Sequence, residues 1–189
     1  MKVINVAICI IAITFIASCK KENGQPSIPI PNGDFESWTG YNRLQNWVTN
    51  SCPECVPPFE TYIIQKDSIN TYHGRYAAKF IYNSVYPARA ENKFYVPGHP
   101  VSLSGYVKAS VYGKDTVSIK IRLFKNETVA DSGQWLGLSS IVFYKRITIP
   151  ITHSTMQVDS AEITIIGGHN KVTYLNPGTV FWVDALTLQ

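Results

Sequence analysis

The 189-residue chain is 45% hydrophobic and 16% charged, an ordinary globular composition that supports one domain with a real core. Its formal net charge is only +4, which gives no case for a nucleic-acid partner. Eleven Tyr, eight Phe and four Trp favour strands over helices, and twelve Gly with eleven Pro supply the turns that short strands need.

The chain opens MKVINVAICIIAITFIASC, with one lysine, an apolar run from Val6 to Ala17, and then Ser18-Cys19. This is the layout of a secretory signal, and the run is too short for a comfortable membrane span. The ending Ile16-Ala17-Ser18-Cys19 resembles the bacterial lipobox. That implies cleavage before Cys19 and a lipid anchor on its thiol; the alternative is an ordinary signal with an incidental cysteine. Lys20 follows, and by the sorting rule of the better-known bacteria it implies the outer membrane, periplasmic or surface-facing. Residues 1–18 are expected to be signal, 19–28 a polar tether, and 29–189 the folded domain.

Two cysteines remain in the domain, Cys52 and Cys55, within NSCPECVPP. In an exported protein this spacing reads as a local disulfide. Free thiols, or a metal or redox pair, are the alternatives. The four histidines are scattered, which gives zinc no obvious partner ligands, and Pro57-Pro58 block the helix that a thioredoxin-type motif needs.

Further along, FETYIIQKD, YAAKFIYN and ENKFYV read as strands. In VSLSGYVKASVYG the alternation puts Val101, Leu103, Gly105, Val107, Ala109 and Val111 on one face, with Tyr106, Lys108 and Tyr112 on the other. TVSIKIRLF repeats the pattern with Val117, Ile119, Ile121 and Leu123 inward. Tyr112 to Thr116 between these runs is expected to be a hairpin turn. SSIVFYKRITIPI is apolar enough for burial on parts of both faces, and SAEITIIGG and TVFWVDALTL complete the chain. No helix or fixed-period repeat is evident. The expectation is all-β: an antiparallel β-sandwich.

The order of motifs carries a resemblance. NGDFESW opens the domain, LQNWVTN follows, then YHGRYAAKF, VSLSGYVKA and a closing FWVDALTL. This resembles jelly-roll carbohydrate-binding modules of the galactose-binding-like superfold, such as families 4, 9 and 22. It is also similar to the carbohydrate-metabolism domains of Bacteroidetes lipoproteins, where NGDFE-x-W precedes W-x-T-N. The resemblance covers about residues 30 to 189. It implies a jelly-roll (galactose-binding-domain-like) fold and a structural Ca²⁺ tying the first strand to the last. Carried onto this chain, the ligands would be Glu36 and Asp184, with Asp34 as a third candidate. Calcium takes six to eight oxygens, so backbone carbonyls would have to complete the shell. The alternative is that these carboxylates meet Lys or Arg, or cap turns. The same phylum's periplasmic O-glycosylation sequon resembles Asp67-Ser68-Ile69, Asp115-Thr116-Val117 and Asp159-Ser160-Ala161, giving Ser68, Thr116 and Ser160 as acceptors. Plain turn chemistry explains the triplets equally well.

Sugars stack on aromatic rings and are read by polar groups. Trp135 is the favoured candidate, because DSGQWLG looks like a loop or strand edge. Tyr106 and Tyr112 follow on an open strand face, with Arg122 as a polar partner. Phe35, Trp47 and Trp182 read as core or near-core. No nucleophile elbow, zinc-protease motif or phosphate loop is present, and six scattered glutamates do not declare a glycosidase pair. The expectation is a monomeric, lipid-anchored, non-catalytic glycan-binding protein. The rivals are a structural or adhesive interaction module of the cell envelope and a glycoside hydrolase.

Overall fold

Alternation decides which faces meet. Val117, Ile119, Ile121 and Leu123 of β8 (Val117–Lys125) are fully buried, as are Ala161, Ile163 and Ile165 of β11 (Val158–Gly167). Each such isoleucine withdraws enough apolar surface to stabilise the fold by about 1.5–3 kcal/mol. The computed structural model describes residues 27–40, 42–52, 62–82, 87–151, 157–168 and 178–189. Cys19, most of the expected tether and Cys55 lie outside the described residues. Cys52 is disulfide-bonded.

Two five-stranded antiparallel sheets pack face to face. One runs β3 (Val48–Thr49), β6 (Ala88–Gly98), β11, β8, β9 (Thr128–Gly137). The other runs β10 (Ile141–Pro150), β7 (Ser102–Ser110), β12 (Val180–Leu188), β5 (Ala77–Ile81), β4 (Ile64–Asp67). A small ribbon of β1 (Trp38–Thr39) and β2 (Arg43–Leu44) precedes them. Between the sheets lie Phe80 and Phe181, with ring centroids 6.1 Å apart, together with Leu103, Val107 and Val183. From β5 to β8, and again from β9 to β12, each strand belongs to the opposite sheet from its predecessor. That is a jelly roll, as expected. β8 and β9 form a true hairpin, closed by Asn126 and Glu127 at φ 48° and 65°. Two successive left-handed residues are what a two-residue hairpin of the right twist requires.

Several local expectations are corrected. Tyr112–Thr116 is not a hairpin: β7 pairs with β10 and β12, whereas β8 pairs with β11 and β9, so this segment crosses between sheets. Interior positions on both strands made the two runs look like neighbours, but facing a common core does not require hydrogen bonding. β10 is an edge strand rather than a doubly buried one; Phe143 is 83% exposed, and burial begins only at Ile147 and Ile149. Phe35 is buried as expected, but it sits before β1 in a left-handed conformation (φ 58°), not in a strand.

The opening stretch is held as a folded turn. The Asn32 side chain donates to the carbonyls of Ser37 (2.9 Å) and Gln45 (2.8 Å) and accepts from the Ser37 amide (2.9 Å). Trp47 Nε1 donates to the Asn32 carbonyl and Trp38 Nε1 to that of Phe35. Asn92, inward-facing on β6, donates to the Pro31 carbonyl at 2.8 Å, so this buried amide is satisfied by the turn it anchors. The Ile28 amide pairs with the Leu188 carbonyl at 2.7 Å, bringing the first described residues onto the last strand.

Candidate functional site

The outer face of the β12 sheet is built by parity. Phe181 and Val183 point inward, so Trp182 and Asp184 point outward, as do Lys79 of β5 and Tyr106 and Lys108 of β7. A bulge follows Asp184. Ala185 takes φ 50°, and the ladder with β7 shifts between Asp184 and Thr187. The extra residue lets Leu186 return to the core while its amide bonds the Gly33 carbonyl at 2.8 Å.

The loop between β4 and β5 lies on this face and is held by carboxylates. Asp67 Oδ1 accepts from the amides of Ile69 and Asn70 (2.8 and 2.9 Å), and Oδ2 accepts from Trp182 Nε1 (2.8 Å) and Asn70 Nδ2 (3.1 Å). Asp184 Oδ2 takes the amides of Tyr72 (2.8 Å) and His73 (3.0 Å). Glu36 Oε1 takes those of Arg75 (2.7 Å) and Tyr76 (3.1 Å). Gly74 stands between these pairs at φ +70°, where a Cβ would collide with the Glu36 carboxylate. The loop then delivers its side chains to the sheet. Tyr72 stacks on Tyr106 with centroids 3.4 Å apart, and Asn70 accepts from Lys108 Nζ at 2.6 Å and, through its carbonyl, from the Tyr144 hydroxyl at 2.9 Å.

The electrostatics of the three carboxylates differ. Burial works to raise the pKa of Asp67, but the amide of Asn70, the Trp182 indole, the amide of Ile69 and the Asn70 side chain outweigh it and bring it down to about 2. Burial pushes Asp184 up; the amides of His73, Tyr72 and Ala185 oppose this, and the Glu36 charge adds to it. Burial also raises Tyr144, assisted by the charges of Asp184 and Asp67.

Glu36 and Asp184 therefore grip one loop, and among the described residues neither forms an ion pair with Lys or Arg. Asp184 Oδ1 is fully buried without a hydrogen-bond partner. A buried, unpartnered carboxylate oxygen beside a second carboxylate fits a hard cation. No group of three His, Cys, Asp or Glu is gathered among the described residues, so backbone carbonyls would have to complete a shell. Asp34 is exposed, and its Oδ1 accepts from the Glu36 amide at 3.4 Å, a turn role.

A pocket of about 290 Å³ opens on this same face, beside Trp182 and between β7 and β10. It is lined by Lys108, Ser110, Ser140, Ile141 and Val142. Trp182 is thus on an outer face rather than in the core. The indole is fixed at its nitrogen by Asp67, while Lys108 Nζ and Lys79 Nζ lie 5.1 and 5.9 Å from its ring centroid.

The other expected site residues are dispersed. DSGQWLG lies in β9, an edge strand, as one of its two readings had it, but Trp135 pairs with inward-facing Ile119 and turns inward, stacking on Phe181 at 5.9 Å instead of facing solvent. Tyr106 is on the right face, but its ring is covered by Tyr72. Tyr112 is 58% exposed in the crossover between the sheets, its amide bonded to Thr179 Oγ1. Arg122 is on the outer face of the opposite sheet, ion-paired with Glu162 and close to Phe124. Glu91, ion-paired with Arg89, and Glu162 both lie within reach of Thr164 Oγ1, at 3.3 and 3.5 Å. Each sequon aspartate makes turn or loop hydrogen bonds: Asp67 as above beside exposed Ser68, Asp115 to the Thr116 amide, and Asp159 to the Asn126 amide and Ser160 hydroxyl. Sequence reasoning missed Asp67, Asn70 and Trp182. Parity with Asp184 was the available signal for Trp182.

No protein-family model matches the chain, and no curated protein matches it. Among solved structures it superposes on a family 61 carbohydrate-binding module in complex with β-1,4-galactotriose, with a TM-score of 0.50 and 10% identity, covering 84% of this chain and 91% of that one. A candidate glycoside hydrolase from Bacteroides thetaiotaomicron gives the same score and identity over 68% of this chain, which spans 57% of that structure's length. A family 16 carbohydrate-binding module follows at TM-score 0.46 and 16% identity, with 68% of this chain and 86% of that one covered. The strand order and the superposition on the family 61 module define an architecture alone: an all-β jelly-roll sandwich of the kind found in carbohydrate-binding modules.

Because the native pKa of Asp67 is depressed, its stabilising contribution is present above the ordinary carboxylate range and lost as pH falls from about 4 to about 2. The linked free energy is about 2 kcal/mol. Asp184, shifted upward, has the opposite sign: its ionised form is the disfavoured one in the fold. In urea unfolding, Asp67→Asn is expected to be less stable than the native chain at pH 6, with the gap closing toward pH 2. A gap independent of pH would remove Asp67 from this role.

Proposed function

We propose that this chain is a non-catalytic carbohydrate-binding protein of the galactose-binding-like type, holding its ligand against Trp182 on the outer face of the β12 sheet. One observation carries the proposal: an indole fixed at its nitrogen by Asp67 borders a pocket with a polar side (Ser110, Ser140, Lys108) and an apolar one (Ile141, Val142). A pyranose has the same two characters, apolar C–H faces and polar edges, and a pre-oriented ring loses little freedom on stacking. The likeness in fold to carbohydrate-binding modules supports the same class. Binding needs no covalent chemistry. Glu91 and Glu162, which share Thr164 as a neighbour, each carry an arginine partner.

On a glycan array followed by affinity electrophoresis, Trp182→Ala is expected to weaken binding at least tenfold, about 1.4 kcal/mol. Tyr95→Ala, on the outer face of the opposite sheet and 74% exposed, should leave binding unchanged. The reverse result would move the site to the other sheet, and a blank array would overturn carbohydrate binding.

A calcium ion shared by Glu36 and Asp184 belongs to the same proposal. Bound there, it would supply the missing partner of Asp184 Oδ1 and offset the repulsion between the two carboxylates. Melting with about 1 mM calcium rather than chelator should raise the midpoint by several degrees, and Asp184→Asn should lose the difference. An unchanged midpoint excludes the ion.

The chain is further proposed to be anchored through Cys19 to the outer membrane, as an accessory in glycan capture. The lipobox-like Ile16-Ala17-Ser18-Cys19 supports this. Cys19→Ala should release the protein from the membrane fraction; retention with the lipid still attached would refute the anchor.

A further inference from the structure

Lys79, Trp182 and Lys108 form one cross-strand row: Trp182 pairs in register with Lys79 on β5 and with Lys108 on β7. Each neighbouring strand thus sets an ammonium over the indole ring, at 5.9 and 5.1 Å from its centroid. Among the described residues neither lysine forms an ion pair. Lys108 is held in place by Asn70 Oδ1 at 2.6 Å, a neutral acceptor that orients the ammonium without cancelling its charge. The nearest carboxylate, Asp67, keeps its charge but turns its oxygens to the turn and the indole rather than to either ammonium. Asp184 Oδ2 accepts from the loop amides. The row presents an indole that borders the pocket together with two cations drawn to its ring.

We infer that the pocket takes a hexuronic acid unit of an acidic glycan, its pyranose ring beside Trp182 and its C6 carboxylate directed to the ammonium of Lys108, which lines the pocket, while Lys79 across the indole adds positive charge to the same face. The inference rests on the carbohydrate-binding reading and specifies its ligand. A neutral hexose would fill the same space but leave both ammonium groups to solvent. The carboxylate adds charge-assisted hydrogen bonds at a partly sheltered site and draws the ligand in at low salt. Each exposed ion pair is individually modest. The expected discrimination is therefore about tenfold, and not absolute.

The test uses trigalacturonate and its fully methyl-esterified form, which differ in charge at the same positions. Calorimetric titration of the full chain at about 20 mM salt should show the acid binding about tenfold tighter than the ester. The preference should disappear in Lys79→Gln/Lys108→Gln and shrink at about 0.5 M salt. An unchanged melting midpoint in the double variant confirms that it is folded; should it not fold, the single Lys108→Gln variant is read in its place. Equal binding of acid and ester overturns the uronate inference and leaves carbohydrate binding standing. An acid preference that survives in the folded lysine variant overturns the assigned site. Binding of neither compound, or of any glycan on the array, removes the carbohydrate reading and this inference with it.

Discussion

Four backbone amides on two carboxylates hold the outer face of the β12 sheet in shape. Glu36 comes from the opening turn and Asp184 from the last strand, yet both reach the same loop, at Arg75 and Tyr76 and at Tyr72 and His73. Hydrogen bonds to ionised acceptors are stronger than neutral ones, and these lie where water is partly excluded. They fix the loop between β4 and β5 against the sheet. That placement sets Tyr72 over Tyr106 and sets Asn70 to receive Lys108 and Tyr144. The cost is that two like charges are brought near each other, one of them buried. Burial is the main cause of the raised pKa of Asp184, and the Glu36 charge adds to it.

Trp182, which borders the pocket, is oriented through the same loop. Trp182 cannot enter the core, because its strand neighbours Phe181 and Val183 already do and side chains alternate. On an open sheet face an indole would ordinarily be free to reorient. Here Asp67, itself locked by the first amides of the loop, holds the indole nitrogen. Loop geometry and ring orientation are therefore coupled through one carboxylate.

Much of the fold is legible because burial leaves a period-two trace: Leu103, Gly105, Val107 and Ala109 of β7 and Val117, Ile119, Ile121 and Leu123 of β8 are buried as the alternation predicts, whereas Val101, just before β7, is 50% exposed. Sheet membership was not legible. Two alternating runs separated by a short turn look alike whether they hydrogen-bond or face each other across a core, and Tyr112–Thr116 is the second case. The gripping pair Glu36 and Asp184 was singled out through the resemblance of its flanking motifs, but its partners were not. Those partners are backbone amides of a loop whose side chains give no hint of the contact. Trp135 misled because Gly133 and Gly137 around it signal a turn. They are in fact the places where neighbours press close, Pro150 and Ile149 at one and the indole of Trp135 itself at the other. Asp67 was read as part of a modification triplet, and only the fold shows that its carboxylate meets a tryptophan 115 positions away.

The meeting of Ile28 with Leu188 has a mechanical side. The first described residues run antiparallel beside the end of β12, joined by the Ile28 amide to Leu188 and by the Leu186 amide to the Gly33 carbonyl. Trp182 lies near the other end of that strand, about 20 Å away at ~3.3 Å per residue. A pull between something held at Trp182 and the chain preceding Ile28 runs along the strand axis. The cross-strand bonds are then loaded together in shear, not opened one after another like a zipper. Traction on the molecule would be borne collectively by the ladder at its seam.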